Sequence, residues 1–145
     1  MRRSEQGQAG GVEALAFGVL VFVVGTLLVG NAWAVIDAKL AVGSAAREGA
    51  RTYAESGTSE AGAASPANRA ADAAVQSLGR TADVVIQLDD TGYRRCARAV
   101  VRVTTSVPVI RLPFVGVRAG HIAVSADHAV LVDPYRSGVP GMARC

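Results

Sequence analysis

The chain has 145 residues, of which 50% are hydrophobic but only 5% are aromatic, so we expect a thin, finely packed core. A chain of this length is expected to form one small domain, and two soluble domains are excluded on size. The formal net charge of +3 is small and is spread along the chain, so it does not support a nucleic-acid or polyanion partner.

An uncharged stretch near the N-terminus predicts a membrane helix. Residues 14 to 36, between Glu13 and Asp37, carry no charged side chain, and apolar residues cover all sides of the run. As an α-helix this run is roughly 34 Å long, which is enough to cross a hydrocarbon core of about 30 Å. Trp33 lies near its outer end, where an indole suits the headgroup region. We therefore predict a transmembrane helix over 13–37.

The segments on either side of this helix predict its orientation. Residues 1–12 are polar and glycine-rich, and we expect them to form a flexible cytoplasmic leader. Basic residues occur on both sides of the membrane helix, so the positive-inside rule does not select an orientation. A short leader, a single span and a long C-terminal domain are typical of a signal anchor. This layout places residues 38–145 in an extracytoplasmic domain of a single-pass cell-membrane protein.

The same stretch has a second interpretation, which is a cleavable signal peptide. It has a basic start, an apolar middle and the small-x-small pattern Ala32-Trp33-Ala34 of a signal peptidase site. Cleavage after Ala34 would release a secreted α+β binding module. Against this interpretation, the apolar run is longer than the usual stretch of about 7–15 residues, and no helix-breaking residue stands near Ala34.

The first helix is predicted to continue beyond the membrane. The sequence stays compatible with a helix to about Ser56, and Gly57 is expected to end it because glycine readily adopts the positive φ of a helix C-cap. Small residues recur at i, i+4 spacing in this outer part, at Ala41, Ala45 and Gly49. Such a face allows close approach of another helix or a sheet, although an alanine-rich composition alone explains the same spacing.

A second, short helix is predicted after a linker of small residues at 57–64. Ser65 and Pro66 are suited to the N-cap and the first helical position, because the hydroxyl accepts from a free backbone N–H and proline needs no N–H there. The helix is expected to end near Gly79.

Alternating apolar and polar residues then predict three strands, at 83–88, 94–107 and 122–132. Asp89-Asp-Thr-Gly92 has the residues of a tight turn, so the first two strands are expected to form a hairpin. Pro108 is expected to end the second strand, and the apolar loop 109–117 must be covered. One face is expected to be buried on the second strand (Ala97, Ala99, Val101, Val103, Val107) and on the third (Ile122, Val124, Ala126, Val130, Val132). The predicted fold class is α+β with a small antiparallel sheet of about three strands.

No set of side chains predicts catalysis. His121 and His128 are seven residues apart on one predicted strand and therefore point to opposite faces, so they cannot share a metal ion. No phosphate-binding loop, dinucleotide fingerprint, nucleophile elbow or CxxC motif is present. We expect the protein not to be an enzyme and to have no catalytic residues, metal or cofactor. His128 falls on the apolar face, where we expect a partly buried histidine.

A stripe of arginines on the second strand raises one further hypothesis. Arg94, Arg98 and Arg102 would share the outer face of the strand and could meet an anionic cell-wall polymer or lipid headgroup, although a solvated strand face explains them as well. Aromatic residues are not interleaved with them, which argues against nucleic-acid binding.

Glu13 and the two cysteines are the remaining candidates for special roles. A carboxylate at the start of a membrane helix costs on the order of 1–3 kcal/mol to bury, so Glu13 either stays hydrated at the interface or acts in assembly. Cys96 and Cys145 are the only cysteines. An exported domain permits a disulfide between them, and an intermolecular bridge or a free thiol stays open.

The leader and the start of the membrane helix, Gln6-Gly-Gln-Ala-Gly-Gly-Val-Glu13-Ala-Leu-Ala-Phe, resemble TadE-like pseudopilins of tight-adherence (Flp-type) pilus systems. The similarity continues in three short segments, at 45–53, at Leu112-Pro113 and at 132–136. The resemblance implies a minor pseudopilin or an assembly factor of a pilus or secretion machine. It also implies the membrane, other pilins or pseudopilins and the assembly platform as partners.

The resemblance further implies processing by a prepilin peptidase at the inner face of the membrane. Such an enzyme cuts after a small residue, usually glycine, with a glutamate fifth after the cut. Here Glu13 is sixth after Gly7, and fifth-position spacing would put the cut after Gln8. We expect the cut after Gly7, because a pocket fitted to glycine should reject a glutamine side chain more strongly than the flexible Gly10-Gly11 segment resists one extra residue. Glu13 would then pair with the new N-terminal ammonium of a neighbouring subunit.

Overall fold

The computed structural model describes residues 6–57, 59–77, 85–108 and 120–145. These residues form two helices and three strands, in the chain order α1 (Gln6–Ser56), α2 (Glu60–Ser77), β1 (Val85–Asp90), β2 (Arg98–Pro108) and β3 (His121–Leu131). The described strands make one antiparallel sheet in the order β1-β2-β3. The predicted α+β class, with a long N-terminal helix, a short second helix and a three-stranded sheet, is therefore confirmed.

Helix α1 begins earlier than predicted. It has 51 residues and starts at Gln6, so the part of the leader from Gln6 to Val12 is helical, and the prediction of a flexible leader is wrong there. Residues 1–5 lie outside the described structure. Two adjacent glycines lower helix propensity by about 1 kcal/mol each. Extending an existing helix adds one hydrogen bond per residue, however, and no proline opposes it.

The end of α1 is placed as predicted, but for a different reason. The helix ends at Ser56, and Gly57 follows it with a φ outside the left-handed region. A Cβ on Gly57 would lie 2.7 Å from the Cβ of Ala63, which is closer than side chains approach. Glycine is therefore needed here because α2 starts against the backbone of α1.

Helix α2 also begins earlier than predicted. It starts at Glu60, so Ser65 is not its N-cap, Pro66 lies inside it, and the linker of 57–64 is shorter than expected. The Ser59 hydroxyl accepts a 3.3 Å hydrogen bond from Gly62 N and supplies the N-terminal cap instead. The alanine-rich segment after Glu60 favours helix strongly enough to outweigh the missing N–H of the proline. The predicted end near Gly79 lies outside the described residues.

The β1–β2 hairpin is present, but its turn is longer than predicted. Strand β1 runs through Asp90, which pairs with Ala99, so the connection is residues 91–97 rather than a tight turn at 89–92. Cross-strand pairing extends β1 past Leu88 because Asp89 and Asp90 face β2 partners in register. Residues 83 and 84 of the predicted first strand lie outside the described structure.

The core is made of small side chains from α1, α2 and one face of the sheet. The side chains predicted to face inward on β2, and Ala97 just before it, are buried. Thr105 lies on the same face and is 2% exposed. The larger cluster combines Ala38, Val42, Ala45, Ala46, Ala50, Ala71, Val75, Val101, Val103, Val107 and Val124. The second combines Tyr53, Ala63, Ala67, Tyr93, Ala99, Val132 and Val139. The small-residue face of α1 is thus the face on which the rest of the domain packs.

Strand β3 is less buried than predicted because it is an edge strand of the described sheet. Val124 is buried, but Ile122 is 43% exposed. His128 is exposed and is not the partly buried histidine that the pattern suggested. Pro108 pairs with His121 at the end of β2, as expected. The predicted apolar loop 109–117 lies outside the described residues.

Candidate membrane and assembly surface

The N-terminal half of α1 is largely exposed. From Glu13 to Asp37 no side chain is fully buried, although Ala34 and Val35 near the end of this range are half-buried. Large apolar residues are among the most exposed, including Phe22 at 74% and Trp33 at 71%. Among the described residues, α1 is the one helix that is long enough and apolar enough to cross a membrane. A signal sequence has the same properties. Water is an unfavourable solvent for such a surface.

The polar groups of this exposed half suit an apolar environment. The hydroxyl of Thr26 donates a 2.8 Å hydrogen bond to the carbonyl of Phe22, one turn earlier in the helix. A side chain that returns its hydrogen bond to its own helix has no unpaired donor to place in lipid.

The same helix passes without a break into the folded domain. Ala34 and Val35 are half-buried against the larger core cluster, and Ala38 is fully buried one turn later. Lys39, on the next position, donates through Nζ to the carbonyl of Ser125 on β3. One continuous helix therefore carries both an uncovered apolar surface and the main packing surface of the domain.

The residues predicted to act in processing and assembly lie at the far end of this helix. Gly7 and Gln8 are in the first turn of α1, and the side chain of Glu13 is exposed. Glu13 is about 37 Å along the helix axis from Ala38, which is beyond the reach of the described side chains that pack around Ala38. Within the described part of the folded domain, therefore, no side chain can pair with the Glu13 carboxylate.

The C-terminal end of α1 is held by residues that sequence reasoning missed. Arg136 donates from Nη1 to the carbonyl of Ala54 at 2.5 Å and from Nη2 to the carbonyl of Glu55. Tyr93 also donates to Ala54, at 3.2 Å, and its oxygen accepts from Gly57 N at 3.3 Å. These are the carbonyl groups that lack partners inside a helix, so a cation is favourable here. The sequence has only three tyrosines, and this scarcity could have drawn attention to Tyr93.

A disulfide fastens the C-terminal tail near this end. Cys96 is bonded to Cys145, with a Cα–Cα distance of 5.3 Å, and lies in the β1–β2 connection rather than on a strand. The tail has no regular structure, as expected from its sequence, but it is well anchored. Arg95 N donates to the carbonyl of Pro140 at 2.8 Å, and Val139 is buried. The cysteine pair is thus at the opposite end of the molecule from Glu13.

The three arginines of the predicted basic stripe do not form one charged row. Strand β2 begins at Arg98, so Arg94 lies in the connection before it and does not share its face. Arg102 forms two 2.7 Å hydrogen bonds with the carboxylate of Asp127 on β3. The hydrogen bond from Arg102 lowers the pKa of Asp127, and the same bond raises the pKa of Arg102. Arg98 is left as the residue of the predicted stripe that adds positive charge to this face, so the surface is a solvated one.

No metal-binding cluster is found in the described part of the chain. Its histidine, cysteine and acidic side chains form no group of three that could hold a metal ion. His121 and His128 lie seven residues apart on β3 and so point to opposite faces of the sheet.

Comparison with known proteins finds no matching family model, no similar curated protein and no similar solved structure. The interpretation of this surface therefore depends on its physical chemistry and on the resemblance in sequence.

Proposed function

We propose that this chain is a membrane protein with one N-terminal transmembrane helix and an extracytoplasmic α+β domain, and that it acts as a TadE-like minor pseudopilin or assembly factor of a pilus or secretion system. Its partners are the membrane, other pilins or pseudopilins, the assembly platform and a prepilin peptidase. It acts structurally and not as an enzyme.

The observation that carries this proposal is the continuity of α1. Its first half exposes apolar side chains on every side, and its second half is the framework of the folded domain. A helix that only anchored the domain could be joined to it by any linker. A rigid junction instead fixes the domain relative to the apolar half, so that packing of one subunit's helix against another sets the position of the outer domains as well.

The position of Glu13 supports an assembly role for the same helix. The carboxylate stands at the inner end of the apolar run, and the described part of the folded domain cannot reach it. After cleavage behind Gly7, the new ammonium group of one subunit would lie at a similar membrane depth to Glu13 of its neighbour. Pairing the two charges offsets the desolvation that each suffers alone, and it favours one register between the helices.

The first prediction tests this role with Glu13→Gln, which removes the charge and keeps the shape of the side chain. We expect the variant to insert in the membrane, to accumulate normally and to keep its folded outer domain. We expect it to co-purify at least several-fold less with the other subunits of the assembly. Glu60→Gln, at the exposed start of α2, is the matched control and should behave as the native chain.

Two further measurements separate the proposal from its alternatives. In N-terminal sequencing, the mature protein should begin at Gln8. A start at Met1 would contradict processing, and a start at Val35 would show release by signal peptidase after Ala34.

Washing membranes at high salt and alkaline pH should leave the protein bound, whereas a secreted binding module would be released. A Glu13→Gln strain that assembles normally would contradict the role given to this carboxylate.

A further inference from the structure

The folded domain begins before the apolar run of α1 has ended. Ala34 and Val35 belong to the uncharged run, yet both pack against the larger core cluster. Ala38 is fully buried one turn later. Along the described helix, therefore, no length of bare helix separates the apolar run from the sheet that packs on it.

Two contacts show how β3 is directed relative to α1. Lys39 of α1 donates to the carbonyl of Ser125. Further along the helix, a Cβ on Gly49 would lie 3.2 Å from Val101 Cγ1, and Val101 pairs with His128 of β3. Residues further along α1 thus lie beside residues further along β3, so the two elements run in the same direction. The first residues of β3 are therefore the ones nearest to the apolar half of α1.

The start of β3 can be located from this direction. Ser125 is four residues beyond His121, which is about 13 Å along the strand. Even if the strand crossed the helix axis at about 45°, its advance along that axis would still be roughly 9 Å. Lys39 is three helical residues, about 4.5 Å, beyond Ile36, and helical side chains tilt toward the N-terminus. His121 therefore lies at the level of Ile36 or nearer to the N-terminus of α1.

Exposed apolar side chains occur on both elements at this level. Ile122 is 43% exposed at the start of β3, while Trp33 and Ile36 of α1 are 71% and 54% exposed. Pro108, which pairs with His121 at the end of β2, is also exposed.

We propose that this end of the β2–β3 hairpin, at Pro108, His121 and Ile122, contacts the headgroup region of the bilayer, so that the outer domain touches the membrane at a second point besides α1. The inference rests on the proposed membrane anchor. We choose a lipid surface as the partner because this end of the hairpin lies at the same level along α1 as the C-terminal end of the apolar run.

The test places an environment-sensitive fluorophore at three exposed positions of the full chain, one at a time. The variants are Ile122→Cys at the hairpin end, Leu131→Cys at the opposite end of β3, and Phe22→Cys in the apolar run. The native cysteines are bonded to each other and do not take the label, which the unsubstituted chain verifies. Each labelled protein is reconstituted in bilayers of phosphatidylcholine and phosphatidylglycerol that contain a lipid-borne nitroxide quencher.

We expect blue-shifted emission and strong quenching at positions 22 and 122, and several-fold weaker quenching at position 131. Because all three native residues are exposed, the substitutions leave the core unchanged, and near-ultraviolet circular dichroism of each variant checks the fold. Quenching at 22 with position 122 behaving like 131 would overturn the second contact and leave the anchor standing. Loss of quenching at position 22 would overturn the anchor and this inference together.

Discussion

Arg136 is the residue that most directly links the C-terminal segment to the first helix. Its guanidinium donates to the last carbonyl groups of α1 from a position 81 residues further along the chain. The hydrogen bonds are charge-assisted, and the carbonyl groups they satisfy are partial negative charges at the end of a long helix. The arginine therefore closes the helix and fixes the start of the tail in one step.

The second prediction is that Arg136→Ala lowers the free energy of unfolding of the folded domain by about 1–3 kcal/mol, because two charge-assisted hydrogen bonds to the last carbonyl groups of α1 are lost. Thermal unfolding of the full chain in detergent, followed by near-ultraviolet circular dichroism of its tyrosines, measures the change. Arg144→Ala, in the exposed tail, is the control. Equal melting temperatures for the two variants would contradict the capping role.

Sequence reasoning could find the residues that follow a local rule and not those that act over a distance. The alternation on β2 identified its buried face correctly, because a strand half-covered by a helix must alternate. It missed Thr105, which is polar by type but lies in phase with that face. It also overestimated the burial of His128, since a pattern does not show that β3 lies at an edge of the sheet.

At the scale of elements, the least predictable feature was the contact between α1 and α2. Gly49 lies where the two helices and the sheet meet, and a Cβ there would stand 3.1 Å from Ala71 Cβ and 3.2 Å from Val101 Cγ1. The small-residue spacing suggested a packing face but could not name its occupants. Both α2 and the sheet pack against this face of α1, which explains why so many alanines of α1 are fully buried.

The third prediction compares Gly49→Val with Gly43→Val in the same helix. Both changes replace glycine with the same β-branched residue, but a Cβ on Gly43 would meet nothing within 4 Å. We expect Gly49→Val to destabilise the domain by about 1–3 kcal/mol through overpacking, and Gly43→Val to be neutral or slightly stabilising. Thermal unfolding of both full chains measures the difference. Similar effects at the two positions would show that helix propensity, and not close packing, decides the outcome.

The boundaries that sequence reasoning placed wrongly have a shared cause. Neither the first turn of α2 nor the last residues of β1 has a strong preference of its own for helix or strand. Contacts with neighbouring residues extend both elements beyond their predicted ends. Ser59 caps α2 six residues before Ser65, the first residue of the Ser65-Pro66 pair that resembles a helix start. Pairing with β2 carries β1 through two aspartates that usually favour turns. Local composition gave the existence and order of the elements, and tertiary contacts set their ends.

On the scale of the whole molecule, the described structure has one folded unit held at one end by a disulfide. Cys96 and Cys145 are 49 residues apart in sequence, so the bond closes both the β2–β3 hairpin and the tail into a single loop. A core made mostly of alanine and valine buries little area per residue. A cross-link that restricts the unfolded chain therefore contributes a large share of the stability.

The fourth prediction is that Cys145→Ser lowers the free energy of unfolding by about 2–4 kcal/mol, as expected for a closed loop of this length. Trypsin would release Cys145 as a single residue, so the chain is cleaved before its aspartates instead. Non-reducing mass spectrometry should then find the peptides 90–126 and 133–145 joined, and reduction should separate them. If both peptides are alkylated without reduction, the protein lacks this bond in the cell. The double variant Cys96→Ser, Cys145→Ser should melt at the same temperature as Cys145→Ser.

The continuity of α1 also determines how the molecule responds to a mechanical load. A pull on the N-terminal end of the helix is carried along its axis, past α2 and the sheet that lie beside it, to the arginine at its far end. Because β3 runs alongside the helix, that force acts in shear and strains many small contacts at the same time, where a force applied across the sheet would peel them apart one by one. A load along the helix axis therefore leaves the folded domain intact more readily than the same load applied across the sheet.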